Sequence, residues 1–330
     1  MAASPQVYGD ISPRTAAYAI APLLTRHNEE MILEKFGQTY VLPTKSSRTA
    51  IFRRYEALAL ALTPLVEGVT PSGSKPTITD YSVTLQEHGD FIPYTGFMLD
   101  THEDPILKEY GSLCVQQAAE TVETLRWNVL KAGTTVFRAN GTVRTDINTP
   151  ITLALQRKCT QALKLQRGKM LTEIVSSDAR FRTEPIEAAF VAITHTRVEN
   201  DVRGMDGFIP VKQYGTASKW ANEIGSVEDT RYVRSNLFTA FADAGGAKGA
   251  MFSTTGTSAD VFPVLYLSKD AYGIVPLKGS NAMSLIAHNP GSSGTADPLN
   301  QRGTLGWKMA QNSVILNQLW IVRLEVAATA

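Results

Sequence analysis

Histidines at metal-ligand or triad spacing mark proton transfer or Lewis-acid chemistry, and this chain has His27, His88, His102, His195 and His288. They are scattered, with no HxH or HxxxH pair. His102-Glu103-Asp104 sets two kinds of proton-competent group side by side, a run that also suits the cap of a helix. A metal-assisted hydrolase using His102, Glu103 and His195 is the one enzyme these residues allow, and their spacing fits no recognised ligand pattern. Asp100, Glu103 and Asp104 supply oxygens for a divalent cation, and favourable charge at a helix N-terminus explains them equally well. Gly245-Gly246-Ala247-Lys248-Gly249 lacks the spacing and the following hydroxyl of a phosphate loop and reads as a flexible loop. No GxSxG or GxGxxG occurs. His195 follows the apolar run Phe190-Val191-Ala192-Ile193, which favours a core or edge histidine. The residues therefore assign no catalytic, cofactor-binding or metal-binding position; the expectation is a non-enzyme without a cofactor.

Charge is concentrated in two places. Arg48, Arg53 and Arg54 crowd a short segment, and Arg157, Lys158, Lys164, Arg167 and Lys169 make a second segment markedly basic. Across all 330 residues the net charge is only +1, which argues against strong non-specific binding of nucleic acid while leaving room for a local basic face. The hydrophobic fraction of 43% and charged fraction of 19% suit a packed globular protein. No apolar run reaches the ~18 residues of a membrane-spanning helix, and the first residues do not read as a signal peptide. The two cysteines, Cys114 and Cys159, have no CxxC partner and read as reduced core thiols.

The elements that would position these groups centre on residues 104–132. Asp104 suits a cap, Pro105 a first helical position and Gly133 the residue past the end. Ile106, Leu107, Tyr110, Leu113, Cys114, Ala118, Val122, Leu125, Val129 and Leu130 recur at helical spacing; Lys108, Glu109, Gln116, Glu120, Glu123 and Lys131 fall on the opposite face. Residues 1–44 read as an arm, with one short helix within Leu23–Gly37; lying on a neighbouring subunit and trailing as a poorly ordered tail are equally compatible with its composition. In residues 45–99, Leu58, Leu60 and Leu62 alternate with alanine at strand period. Thr70–Pro76 is dense in turn residues, and Thr77–Phe91 is again extended, so the segment reads as a two-stranded ribbon. Such a ribbon is marginal alone and must lie on its own domain or on another subunit.

After the long helix, Asn140-Gly141 suggests a two-residue hairpin within Thr134–Val143. A basic second helix is expected from Ile151 to about Glu173. Phe190–Ile193, Val261–Leu267 and Gly273–Leu277 read as core strands, Gly225–Arg234 as a turn and strand with its charges outward, and His288–Pro298 as a surface loop. Ile315–Val326 closes the chain as an outer strand.

Particular residues carry a family resemblance: Arg48, then Phe52-Arg53-Arg54-Tyr55, Leu65-Val66-Glu67-Gly68-Val69-Thr70-Pro71, Thr79-Asp80-Tyr81 and Leu85-Gln86-Glu87-His88-Gly89, with Gly306-Trp307-Lys308-Met309-Ala310 near the end. This series resembles the major capsid proteins of tailed phages in the N4-like group, although the family's usual Gln-Tyr-Gly is Glu87-His88-Gly89 here. The resemblance implies an α+β, HK97-type capsid fold: N-terminal arm (1–44), E-loop ribbon (45–99), peripheral domain with the spine helix (100–189), axial domain (190–300) and a peripheral return strand (301–330). It implies hexamers and pentamers of an icosahedral shell around double-stranded DNA, in the virion and, during assembly, the host cytoplasm. A separate scaffolding protein, a portal and a decoration protein are the implied partners, with no membrane. Within that picture Arg48, Arg53, Arg54, Glu67 and Glu87 are candidate contacts between subunits. Arg157, Lys158, Lys164, Arg167 and Lys169 are candidate DNA-facing residues, for which an ordinary solvated helix face is the commoner explanation. An encapsulin-like compartment, which shares the fold and encloses protein, is the alternative.

Overall fold

The computed structural model describes residues 31–45, 47–65, 67–68, 70, 73–101, 106–175, 183–215, 219–277, 283–292 and 297–330. The first half holds β1 (Gln38–Thr39), β2 (Thr49–Tyr55), β3 (Ile78–Thr84), β4 (Gln86–Thr95), α1 (Gly96–Thr101), α2 (Ile106–Leu130), β5 (Val136–Arg138) and α3 (Leu153–Leu165). Then come β6 (Leu171–Val175), β7 (Thr183–His195), α4 (Glu199–Arg203), β8 (Phe208–Pro210), β9 (Glu223–Val227) and β10 (Thr230–Ser235). The chain ends with β11 (Val261–Leu267), β12 (Tyr272–Pro276), β13 (Met283–His288), β14 (Arg302–Ile315) and β15 (Ile321–Ala327).

Two sheets share the long helix α2. In the five-stranded sheet, β14 is the axis: β4 pairs along one edge, while β12 and β13 pair with successive halves of the other and β1 extends β12. Cys114, Ala118 and Val122 of α2 pack on Trp307 and Met309 of β14. Their four-residue spacing makes one stripe, the geometry a helix needs to lie along a sheet. Farther along, Trp127 and Leu130 leave that sheet and join Val191, Ile193, Leu265 and Leu267 of the eight-stranded sheet, β5-β15-β11-β7-β10-β9-β8 with β6 on β7. Trp127 stacks on Phe238 at 4.5 Å and donates its indole N–H to the Thr239 carbonyl at 3.2 Å. Burying such a side chain is worth about 1.5–3 kcal/mol. The opposite face of this sheet carries α3 and α4 on Phe190, Ala192, Phe262, Val264 and Tyr266. With both faces covered, β11 is buried at every position, and its run Val-Phe-Pro-Val-Leu-Tyr-Leu has no polar alternation.

Several sequence expectations are corrected here. The α2 stripe is offset from the pattern drawn by residue type: Leu107 and Leu113 are exposed, while Glu123 is fully buried. The basic helix stops at Leu165, eight residues short of Glu173. There Arg167 adopts φ +54° and the Gly168 N–H returns to the Leu163 carbonyl, and a Cβ on Gly168 would meet Ser268 Oγ at 2.4 Å. Residues 171–175 are strand instead. Asn140-Gly141 makes no hairpin; β5 pairs in parallel with β15, and the Asn140 side chain bonds the Asp146 carbonyl and the Asn148 amide across the loop. Residues 315–326 are not one outer strand. β14 ends at Ile315, and β15 lies between β5 and β11, buried along most of its length. Consequently the 190–300 division cuts across both sheets, since β12 and β13 join the first and the C-terminal β15 joins the second.

The chain at 31–37 is turn rather than helix, and Ile32, Leu33 and Phe36 sit in this subunit's own core. The remainder of the expected arm, residues 1–30, lies outside the described residues, as do His102, Glu103, Asp104 and Pro105. Gly245 and Gly246 form a tight bend, not a loose loop: their amides bond the Ala259 and Ile147 carbonyls at 2.9 Å. In the β9–β10 hairpin Arg231 faces inward against Glu223, Tyr214 and Trp220, contrary to the expectation that its charges face out.

Candidate functional site

The ribbon is the feature with no counterpart inside the two sheets. Its root is β2 paired with β3 from Thr49↔Thr84 to Tyr55↔Ile78. Alternation puts Ala50 and Val83 on one face, where they meet Leu42, Leu85 and Val275 in a small core of their own. The Phe52 ring fills the space that a side chain on Gly273 of β12 would occupy, so the root is seated on the five-stranded sheet. Beyond Tyr55 one further bond closes the ladder, from the Glu56 N–H to the Thr77 carbonyl at 2.9 Å. Residues 57–62 form no strand, which moves the expected Leu58–Leu62 strand upstream to 49–55. Leu58, Leu60, Leu62 and Leu65 are 57%, 77%, 82% and 78% exposed. A run of exposed leucines this dense exceeds the scattered apolar residues of an ordinary surface.

The root arginines are engaged within the subunit. Arg53 holds Asp80 across the ladder through two bonds of 2.9 and 3.0 Å, and those hydrogen bonds, helped by its charge, keep the Asp80 carboxyl below the usual range. Arg54 holds Glu56 at 2.7 Å, which with the Thr79 hydroxyl lowers the Glu56 carboxyl. Arg48 donates to the Leu85 carbonyl at 3.0 Å. Glu87 pairs with Lys308 at 3.1 Å on the outer face of the five-stranded sheet, whereas Glu67 stands exposed near the tip. The structure thus brings Arg48, Arg53 and Arg54 to the ribbon root and sets Glu87 with Arg48 in the lining of one pocket there, while the carboxylate partners of Arg53 and Arg54 are Asp80 and Glu56.

Of the five basic residues in and just after α3, two are paired with carboxylates. Arg157 grips Glu228 at 2.5 Å and Lys164 pairs with Asp229, both carboxylates lying in the β9–β10 turn. Lys158 sits 4.9 Å over the Phe137 ring. Arg167 and Lys169 have no ion pair among the described residues and lie beyond the helix end. His195 caps a short helical turn by accepting the Arg197 amide at 3.0 Å, and burial lowers its pKa, so the expected edge histidine is a structural one. Asp100 is exposed on α1, and no group of His, Cys, Asp and Glu that could hold a metal occurs among the described residues. Cys114 and Cys159 are both buried free thiols; burial raises both, Cys159 to about 12.

Two buried charge clusters escape a reading by residue type. Glu123 Oε1 accepts the amides of Ile32 and Leu33 at 3.0 and 2.9 Å, and Tyr272 donates its hydroxyl to the Leu33 carbonyl. Arg126, one turn on, donates to Gln311 at 2.9 Å and faces Glu34 at 3.8 Å. Burial pushes the Glu123 carboxyl upward against the lowering effect of those amides. In the second cluster, fully buried Glu325 faces Arg144 at 2.6 Å, Arg323 at 3.1 Å and Arg138 at 3.7 Å. Neither is signalled as buried by residue type: Glu325 falls with Arg323 on the polar side of the alternation Val322, Leu324, Val326, and its residue type sets Glu123 with the polar face of the helix.

No protein-family model and no curated protein matches the chain. Solved structures do. The capsid of Ralstonia phage GP4 superposes with a TM-score of 0.70 at 10% identity, over 100% of this chain and 99% of that one. The cyanophage P-SCSP1u capsid structure gives 0.64 at 12% identity over 96% and 94%. The cyanophage Pam1 capsid asymmetric unit gives 0.64 at 13% identity over 98% and 100%. At these identities the likeness is one of fold, and it runs through both sheets, the ribbon and the long helix: the chain has the α+β fold of phage capsid proteins, the HK97-type fold.

Proposed function

We propose that this chain is the major capsid protein of a tailed phage of the N4-like kind, assembling as hexamers and pentamers into the shell that encloses double-stranded DNA. The observation that carries the reading is the whole-length likeness to capsid subunits, with neither chain left over. The ribbon supports it. Leu58, Leu60, Leu62 and Leu65 present apolar surface left exposed by their own subunit, and a second copy would cover it. The role is structural, with no reaction assigned to any residue. The E-loop ribbon, peripheral sheet with spine helix, and axial sheet then take the parts their names imply. A separate scaffolding protein, a portal and a decoration protein complete the assembly, which forms in the host cytoplasm and ends in the virion.

The test is negative-stain electron microscopy of purified protein, alone and with the scaffolding protein of the same phage. Closed shells or five- and six-fold rings are expected, and particles isolated from infected cells should contain DNA. Particles that hold protein cargo and no nucleic acid would establish the encapsulin-like alternative. A chain that stays monomeric with scaffold present, at high salt and high concentration, would overturn the reading.

A further inference from the structure

The candidate DNA-facing set in and just after α3 has two of its five cations paired with carboxylates. A second place gathers cations more closely, around one carboxylate. Arg138, Arg144 and Arg323 surround Glu325, and Lys131 joins them: Arg323 donates to the Lys131 carbonyl at the end of α2, and both Lys131 and Arg144 face the Phe241 ring, at 5.6 and 3.7 Å. One carboxylate therefore stands against four cations. The nearest acidic residue in sequence, Asp146, turns its carboxylate onto the Thr142 and Val143 amides at 3.1 and 3.2 Å. Even counting Asp146, cations outnumber carboxylates by two.

The donors are as unbalanced as the charge. Arg144 spends Nε and Nη2 on Glu325, and Arg323 spends Nη1 on the helix end. Arg138 reaches Glu325 only at 3.7 Å, and neither its Nε nor that of Arg323 has a hydrogen-bond acceptor among the described residues. Arg138 and Arg144 keep 31% and 33% of their side chains open to solvent, so an anion can reach the cluster. Guanidinium groups held close together at a common carboxylate repel one another, and an incoming oxyanion with several oxygens relieves that repulsion and bonds the solvent-open parts of Arg138 and Arg144, the Nε atoms of Arg138 and Arg323 themselves being buried.

We infer that Lys131, Arg138, Arg144 and Arg323 form a contact for the phosphate backbone of nucleic acid, with Glu325 holding the guanidinium groups in place. Two uncompensated charges suit a run of successive phosphates better than one carboxylate, which would leave one charge over. The inference rests on the shell reading, because only an enclosed polyanion would meet this face in bulk.

The experiment measures binding of a labelled DNA duplex of about 20 base pairs to the full-length subunit, titrated from about 50 to 200 mM salt. Arg144 and Arg323 hold buried Glu325 and are left intact. The variant is Lys131→Gln with Arg138→Gln, and its melting curve checks the fold. Expected is an affinity loss of about fivefold or more at low salt, and a slope of log K against log salt shallower by about 1.8 for two lost phosphate contacts. Arg157→Gln with Lys164→Gln should change neither. An unchanged slope in the Lys131/Arg138 variant, or the loss appearing in the α3 variant instead, would overturn the contact. So would unchanged DNA binding with failed shell formation, which would assign the cluster to a carboxylate of another subunit. Whether the wild-type chain forms shells at all is read separately by microscopy, so the two proposals can fail independently.

Discussion

Glu123 ties the segment at Ile32 and Leu33 to the C-terminal third of the spine helix through a single carboxylate oxygen that serves two amides. Removing it in Glu123→Ala leaves the Ile32 and Leu33 N–H groups unpaired beside a buried Arg126, a loss of about 2–4 kcal/mol that denaturant unfolding would measure. The pH dependence follows from the direction of its shift. Burial raises the folded-state pKa above the unfolded value, so between the two values the folded chain binds more protons. Stability therefore falls as pH rises through that window, and the full cost is present above it. Glu123→Gln keeps an oxygen for the two amides and has no proton to lose. Its melting temperature between pH 5 and 8 should fall less steeply than that of the wild type. Glu123 was misplaced in the sequence because residue type was allowed to overrule position. Periodicity alone puts it beside Val122 and Trp127, both of which are buried.

Among the elements, α2 and the ribbon differ in how much a local pattern can reveal. The helix was legible because its partners are its own turns, and its stripe repeats every three to four residues whatever it packs on. The ribbon was legible as extended chain, but its pairing was not. Leu58, Leu60 and Leu62 alternate as a strand does, yet the ladder is made by Thr49–Tyr55 with Ile78–Thr84, where Arg53 and Asp80 form the cross-strand pair. A two-residue period states that a chain is extended without saying what it pairs with. The end of α3 needed the left-handed turn at Arg167 and the close fit of Gly168, neither of which hydrophobic periodicity registers. The leucines also set the element-scale prediction. Leu58→Ser, Leu60→Ser and Leu62→Ser together should leave the melting temperature within a degree or two, since exposed substitutions each change stability by about 0.5 kcal/mol or less. Light scattering and microscopy should show that the same triple variant no longer forms particles; particles at wild-type yield would show that the ribbon leucines make no contact between copies.

At the scale of the whole molecule, the chain weaves its sheets from distant segments. The eight-stranded sheet takes β5 from residues 136–138 and β15 from 321–327, and the five-stranded sheet takes β4 from 86–95 and β14 from 302–315. The 190–300 division is crossed by nearer pairings, β12 and β13 with β14 and β11 with β15, and strand pairing of either range leaves no trace in composition. A chain ending at Leu319 should accordingly lose more than a terminus. It would strip β11 and β5 of their shared neighbour, and the expected result is insoluble protein with no cooperative melting transition by calorimetry. The same weave governs how the molecule bears load. β4 and β14 meet over ten register pairs, from Arg302↔Thr95 to Gln311↔Gln86, and their hydrogen bonds lie across the strand direction. Tension along β14 strains all of those bonds together, as a lap joint does, whereas tension at the free end of the β2–β3 ribbon peels its pairs one after another. A wall built from this chain would stretch first at its ribbons and last along the seam of β4 and β14.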